Sequence, residues 1–185
     1  MSRLVIAAVI AFLPAVARAD DPKPKGPPAA DVLNAAMSTA QKDGKAVFLS
    51  FGSPSCVWCK YLDKFHARGA VEKTLGKHLV FVKVGVVENP GGEDLYKKYA
   101  PEPGGVPVWV ILSADGKVLA DSYADVDGKK SNVGFPYEPN ELAHYEKSLR
   151  AALPKLTDDE IKDVMKELKQ AGPMKKDTKV EAKDR

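Results

Sequence analysis

Apolar residues between positions 31 and 99 follow helical and strand periodicities in turn. Helical spacing over residues 31–43 predicts a helix that ends at Gly44. Continuous apolar runs at 46–51 and 79–84 predict two buried strands. Shorter helical patterns lie at 60–68, 70–77 and 93–99. This alternation predicts neighbouring parallel strands joined by a crossover helix.

The pattern changes after residue 100. Two strand-like runs, 107–112 and 118–123, flank the dipeptide Asp115-Gly116, which predicts an antiparallel hairpin. Residues 124–139 lack periodicity and are predicted to be irregular, and a helix is predicted at 140–153. Together the elements predict an α/β fold with a mixed central sheet flanked by helices.

A further helix is predicted near the C-terminus. Thr157 and Glu160 have the spacing of a capping box, and the helix that they open runs to about Ala171. Its apolar stripe comprises Ile161, Val164, Met165 and Leu168. Such a stripe packs on its own domain or binds a partner, and the first use is the commoner. Residues 154–173 are therefore predicted as an extra C-terminal helix, and the densely charged residues 174–185 as a disordered tail.

The N-terminal residues 1–19 have the features of a Sec-type signal peptide. Arg3 supplies the positive start, 4–16 the apolar stretch, and 17–19 a small-residue cleavage site. An uncleaved anchor is the alternative, although the apolar stretch is short for a membrane span. Residues 20–30 form a proline-rich linker. The sequence thus predicts export, to a bacterial periplasm.

Length and charge narrow the possible roles. The 185 residues suit one domain of modest size with tails, and we expect a monomer. The formal net charge is +3, and loss of Arg3 and Arg18 with a signal peptide would lower it to +1. Such near-neutrality gives no argument for binding nucleic acid or a membrane surface.

The motif Cys56-Val57-Trp58-Cys59 contains the only two cysteines of the chain. It lies between a predicted strand and a predicted helix. A thiol at a helix N-terminus faces unpaired N–H groups and the positive end of the helix dipole, which favours its thiolate. The second thiol, one turn later, is placed to attack a mixed disulfide formed by the first. The motif therefore predicts a reversible dithiol pair.

Two other uses of the cysteines remain open. A structural disulfide is one, but a four-residue loop gains only roughly 2 kcal/mol, against about 3 for a loop of fifteen residues. A zinc site is the other, and it needs about four ligands. The chain offers His66, His78 and His144, of which only His66 has a spacing to the pair worth considering. We predict no metal and no cofactor.

Three motifs together resemble thioredoxin. A strand leads into Cys-x-x-Cys-Lys, a second strand contains Val82-Lys83-Val84 and runs on to Pro90, and Gly105-Val106-Pro107 opens the hairpin. Their order and spacing are similar to those of the thioredoxin-like superfamily over residues 31–153. The resemblance implies a thioredoxin fold, here with an extra C-terminal helix. It also implies that Cys56 is the exposed nucleophile and Cys59 the resolving thiol.

The resemblance further implies a substrate-binding surface. Val106-Pro107 would be a cis peptide against the disulfide and would present backbone to a substrate chain. Trp58, between the thiols, is predicted to belong to the same surface, with burial in the core as its alternative. Trp109 alternates inward along its strand and is predicted to be core.

The chain departs from thioredoxin at several positions. Thioredoxin has a buried aspartate six residues before its first cysteine, and that position here is Ser50. Lys83 falls where the family's lysine partners that aspartate, so it is expected to lack its usual carboxylate. It is predicted as an auxiliary residue that stabilises a thiolate at Cys59, the alternative being a lysine that extends to the sheet edge.

The resemblance predicts an exported thiol–disulfide oxidoreductase that acts on protein disulfides. Reduction is the preferred direction by family habit, with oxidation and isomerisation as alternatives. A reductase outside the cytosol needs an electron donor, for which a membrane partner is expected. The competing hypothesis is a thioredoxin-like binding module that holds copper or a partner protein without turnover.

Overall fold

The computed structural model describes residues 25–100, 104–126 and 128–173. The predicted signal peptide, residues 20–24 of the predicted linker and the charged tail lie outside these residues. Within the described residues, no helix combines the length and apolar character that a bilayer crossing requires.

Six helices and six strands make up the described part of the chain. In chain order they are α1 (Ala29–Asp43), β1 (Ala46–Gly52), α2 (Val57–His66), α3 (Gly69–Leu75), β2 (Leu79–Gly85), α4 (Gly92–Tyr99), β3 (Val108–Leu112), β4 (Val118–Asp121), β5 (Tyr123–Val126), β6 (Lys129–Asn132), α5 (Pro139–Ala152) and α6 (Asp158–Ala171). The predicted helices and the strands up to β4 are present, with ends that differ by a few residues. Gly44 ends α1 in the left-handed conformation, with a φ of 66°.

The main sheet has the strand order β2-β1-β3-β4. Strand β1 pairs in parallel with β2, and Ser50 lies opposite Lys83. On its other side β1 pairs antiparallel with β3, where Ser50 lies opposite Trp109. Every residue of β1 is buried, which explains its unbroken apolar sequence. The predicted mixed sheet is confirmed.

Helices cover both faces of this sheet. Phe48 and Trp109 point to the face covered by α2, α3, α5 and α6. Leu49 and Val110 point to the face covered by α1 and α4. This alternation along each strand divides the apolar residues into two core layers. Trp109 is fully buried, so its prediction as a core residue is confirmed.

A second, two-stranded sheet follows the main one. Strands β5 and β6 pair antiparallel, with Tyr123 opposite Asn132. The prediction of an irregular segment at 124–139 was therefore wrong for its first half. The sequence of β6, Lys-Lys-Ser-Asn, has no apolar alternation because the strand lies outside the main sheet and is not buried. The dipeptide Asp127-Gly128 was the available signal, since Asp-Gly also marks the β3–β4 turn.

Helix α6 is an integral part of the fold. Thr157 Oγ1 accepts a hydrogen bond from the Glu160 N–H at 3.3 Å, and the Glu160 carboxylate accepts one from the Thr157 N–H at 3.1 Å. The predicted capping box is thus present. The apolar stripe joins the core beside α2, α3 and α5. The stripe is used within the domain, as the commoner interpretation predicted.

Candidate active site

The two cysteines form a disulfide at the start of α2, immediately after the central strand β1. Cys56 is the N-cap residue of the helix, and its Sγ accepts a hydrogen bond from the backbone N–H of Cys59 at 3.0 Å. A thiolate at Cys56 would accept the same N–H and face the positive end of the α2 dipole. The position therefore favours the charged form of the outer sulfur.

The two sulfurs differ in exposure. Cys59 is 2% exposed, whereas Cys56 is half-buried. Cys59 lies against Gly52, where an added Cβ would stand 3.2 Å from its Sγ. An incoming disulfide therefore reaches Cys56 first, and Cys59 reaches a bond already made to Cys56. This geometry supports the predicted division of roles, nucleophile and resolving thiol, which stays a prediction.

The loop before β3 lies beside the disulfide. The Val106-Pro107 peptide bond is cis, as the resemblance implied. The carbonyl oxygen of Val106 lies 3.3 Å from the Sγ of Cys56. Pro107 is buried and Val106 is half-buried. The structure thus brings the predicted substrate-binding residues next to the predicted nucleophile, and substrate binding itself stays a prediction.

Trp58 belongs partly to the core and partly to the surface near the disulfide. Its ring is half-buried and stacks on Tyr137, with centroids 5.0 Å apart, and on Phe135, at 6.2 Å. The half-burial of Trp58 leaves both alternatives open, and its place on a substrate-binding surface stays a prediction. Gly172, directly after α6, lies against Tyr137. A Cβ placed on Gly172 would be 3.6 Å from the Cβ of Tyr137.

A cavity of about 420 Å³ opens next to Trp58 and Val106, the half-buried residues near Cys56 in this part of the site. Its walls come from Trp58, from residues 104–107, and from residues 130–135 of the β6 region. The third wall was missed by the sequence analysis, because that segment was predicted to be irregular. Asn132 in this wall donates hydrogen bonds from Nδ2 to the carbonyl oxygens of Gly105 and Pro107, both at 2.9 Å.

Ser50, at the position of thioredoxin's buried aspartate, lies on β1, and Lys83, at the position of the family's lysine, lies on β2. Ser50 is buried, and its hydroxyl donates to the carbonyl oxygen of Val82 at 3.4 Å. Lys83 forms an ion pair with Asp63 on α2, one turn beyond Cys59. Lys83 thus lacks the carboxylate expected from the strand but has another partner, which the sequence analysis did not predict. The carboxylate comes from the helix that carries the cysteines instead of from β1.

Lys83 lies close to the inner sulfur as well. A Cβ added at Gly52 would be 3.1 Å from Lys83 Cε and 3.2 Å from Cys59 Sγ, so both groups border the same glycine. The Lys83 side chain is 41% exposed and the Asp63 side chain 46%. An exposed pair of this kind contributes at most about 1 kcal/mol to stability. The structure keeps both alternatives for Lys83 open.

The histidines lie apart from the cysteines. His66 packs between Phe48 and Phe81, with ring centroids 4.6 Å from each, and its Nε2 is 3.1 Å from the Tyr145 hydroxyl. Burial lowers the pKa of His66 to about 3 and raises the pKa of Tyr145. The ring is therefore neutral at pH 7. Among the described residues, no group of three or more His, Cys, Asp and Glu side chains is arranged to hold a metal ion.

Known proteins are similar to this chain over different lengths. An uncharacterized protein of Caenorhabditis elegans, B0495.5, is 30% identical over 106 residues, which are 55% of this chain and 14% of that protein. The chain thus spans 14% of the length of this curated relative. A disulphide isomerase from Xylella fastidiosa Temecula1 is 22% identical over 76% of this chain and 90% of its own, with a TM-score of 0.47.

A redox protein from Chlamydomonas reinhardtii shares the fold. It superposes with a TM-score of 0.50 over 78% of this chain and 40% of its own, at 16% identity. The family Thioredox_DsbH, described as a protein of unknown function (DUF255), matches residues 30–169. With its mixed sheet and its Cys56–Cys59 pair at the start of α2, this chain belongs to the Thioredox_DsbH family within the thioredoxin-like superfamily.

Proposed function

We propose that this protein is a thiol–disulfide oxidoreductase that reduces protein disulfides through Cys56 and Cys59. One observation carries the proposal. A disulfide lies at the N-terminus of α2, and only its outer sulfur is accessible, beside the carbonyl of Val106. A structural crosslink gains little from a four-residue loop, whereas a redox pair needs this inequality between its sulfurs.

The reaction has two exchange steps. In the reduced protein the Cys56 thiolate attacks a substrate disulfide, forms a mixed disulfide, and releases one substrate sulfur as a thiolate. The Cys59 thiolate then attacks Cys56 Sγ, releases the second substrate thiolate, and closes the Cys56–Cys59 disulfide. Two electrons pass from the protein to the substrate. A dithiol donor must return them, and we propose a membrane partner for this step.

Substrate recognition is proposed to use backbone pairing and apolar contact. Val106 and Pro107 offer main chain next to Cys56, so that an extended substrate segment pairs there with its disulfide in reach. Trp58 is half-buried and lines the same cavity as Val106 and Pro107, and it supplies an apolar contact to the substrate. We further propose that the protein works as a monomer after export to the periplasm, where the pair meets protein disulfides.

Insulin reduction by dithiothreitol, followed by turbidity, tests the activity. The wild-type protein should accelerate the reaction, and the Cys56→Ser/Cys59→Ser variant should not. Equilibration with glutathione then tests the direction. A potential near about −270 mV, as in thioredoxin, supports reduction, and one near about −120 mV supports oxidation. A folded wild-type protein that does not accelerate insulin reduction would leave the binding-module hypothesis, which metal analysis of the purified protein can then address.

A further inference from the structure

The loop at residues 104–107 is held by side chains from other elements. Tyr96 on α4 donates its hydroxyl to the carbonyl oxygen of Gly104 at 2.8 Å. Asn132 donates to the carbonyls of Gly105 and Pro107. Gly104 and Gly105 are exposed, and two successive glycines place few conformational limits on a backbone. The position of the loop thus depends on these contacts.

Asn132 uses its whole amide group. Nδ2 donates to the carbonyls on both sides of Val106, each at 2.9 Å, and Oδ1 accepts the Gly134 N–H at 3.2 Å. The opposite orientation of the amide would direct an oxygen at two carbonyl oxygens, so the three contacts fix its assignment. The two donated bonds straddle the residue whose carbonyl lies beside Cys56.

The segment that carries Asn132 is itself anchored. Asn132 pairs with Tyr123 in the β5–β6 hairpin. Gly134 has a φ of 51°, and a Cβ there would stand 3.2 Å from the Pro107 oxygen, so the segment packs closely on the loop. The carbonyl of Gly134 accepts the indole N–H of the buried Trp109 at 2.8 Å.

We propose that Asn132 is a positioning residue of the active site, which fixes Val106 beside Cys56 for pairing with the substrate backbone. The β5–β6 hairpin is then part of the substrate-binding apparatus and its contact with the loop is a determinant of substrate affinity. The proposal rests on the proposed reduction of protein disulfides. It concerns binding of an extended chain, so it makes different predictions for a protein substrate and for a small disulfide that does not pair with the loop.

Insulin reduction and a small-disulfide reaction separate positioning from a general loss of structure. Asn132→Ala removes both donors, and Asn132→Asp keeps the shape but turns an oxygen towards the two carbonyls. Both variants should raise the KM for insulin by about fivefold or more, since fivefold corresponds to the loss of one typical hydrogen bond. Both should change kcat by less than about twofold. The reaction of the reduced protein with 5,5′-dithiobis(2-nitrobenzoate) should also change by less than about twofold.

Asn34→Ala is the matched control, since Asn34 is exposed on α1, which covers the sheet face away from α2. This variant should keep the wild-type KM. An unchanged KM in folded Asn132→Ala would overturn the proposal. So would a parallel loss of insulin reduction, small-disulfide reactivity and thermal stability, because Asn132 would then only maintain the structure.

A measurement without turnover keeps this test independent of the proposed function. NMR order parameters of the Gly104, Gly105 and Val106 amides should fall in Asn132→Ala, from values near about 0.85 for a rigid backbone towards about 0.6. If the wild-type protein does not reduce insulin, the proposed function fails and these order parameters alone decide whether Asn132 holds the loop. Unchanged order parameters would contradict it.

Discussion

Lys83 on β2 lies directly opposite Ser50 on β1, yet its ion pair is with Asp63 on α2. In thioredoxin the carboxylate near the inner cysteine comes from the strand, and here it comes from the helix, four residues after Cys59. The carboxylate that pairs with Lys83 is therefore half-exposed, whereas the thioredoxin carboxylate is buried. If Lys83 stabilises a thiolate at Cys59, that effect depends on an ion pair that solvent can reach.

Ser50→Asp should restore a carboxylate opposite Lys83, in competition with Asp63. We expect burial of the charge to lower the free energy of unfolding by about 1–3 kcal/mol or more. We also expect a changed pH dependence of disulfide exchange near neutrality. The pH profile of insulin reduction measures the second effect. Ser50→Asn is the matched control, similar in size and uncharged. An unchanged profile in folded Ser50→Asp would show that Ser50 does not occupy the thioredoxin acid position.

The single-cysteine variants should behave differently. Cys56→Ser should abolish exchange, because the accessible sulfur is lost. Cys59→Ser should still attack substrates but not release them, so that mixed disulfides accumulate. Non-reducing gels of the exported fraction should show bands that disappear with reductant, and mass spectrometry of the bands identifies the substrates. Trapping by Cys56→Ser and not by Cys59→Ser would reverse the assigned roles.

His66, half-buried among aromatic rings, should make the protein sensitive to acid. Its pKa in the folded state is about 3, below its ordinary value of 6.5, so the unfolded state binds the proton first as the pH falls. The stability is therefore complete above pH 6.5 and is lost progressively towards pH 3. The ring borders a cavity that admits solvent and is also lined by Asp63, Glu72 and Lys83. The free energy of unfolding is therefore expected to fall by at most about 2 kcal/mol between pH 7 and pH 5.

Thermal unfolding at pH 7 and pH 5 measures this effect. His66→Phe removes the titrating group and keeps an aromatic ring among Phe48, Phe65 and Phe81. The decrease in Tm between the two pH values should be smaller in this variant than in the wild-type protein. His144→Phe serves as the comparison, since His144 also lies against an aromatic ring. An equal decrease in wild type and His66→Phe would show that His66 does not govern the acid response.

If residues 1–19 are a cleaved signal peptide, the exported protein should have a single, defined N-terminus. A signal peptidase that cleaves after Ala19 leaves Asp20 as the first residue, because Ala17 and Ala19 are the small side chains that the cleavage site requires. N-terminal sequencing of the protein from a periplasmic extract measures this directly. Ala19→Pro should block processing and supplies the control. Recovery of Met1 or Ser2 from the wild-type chain would indicate an uncleaved anchor.

The predictable parts of the fold are those where burial controls the sequence. Strand β1 is buried throughout, and its apolar run and the cysteines after it predicted the sheet and the place of the cysteine pair at the start of α2. Strand β6 is polar and half-exposed, and in β5 only Tyr123 and Ala124 are buried, so the hairpin lacks an alternating apolar pattern and only its Asp-Gly dipeptide marked it. Asn132 lies on this hairpin and was missed with it. Its contacts with the loop join residues far apart in sequence, so no local pattern marks them.

The partner of Lys83 was missed for a different reason. The resemblance to thioredoxin points to the strand position at Ser50, whereas Asp63 reaches Lys83 because tertiary contacts, such as His66 on Phe81, bring α2 against β2. Tertiary packing of this kind leaves no trace in a local pattern. A charged residue one turn after the second cysteine is also the ordinary composition of a solvated helix face.

The approach of Gly172 to Tyr137 has a practical consequence for experiments. A reporter or purification tag joined directly after Pro173, in place of residues 174–185, would begin next to the rings on which Trp58 stacks. A bulky fusion at that position would crowd Phe135, which lines the cavity together with Trp58, and would lower the apparent capture of large substrates. Affinity handles for trapping are better placed in an exposed turn on the far side of the sheet, such as the one around Gly44 after α1.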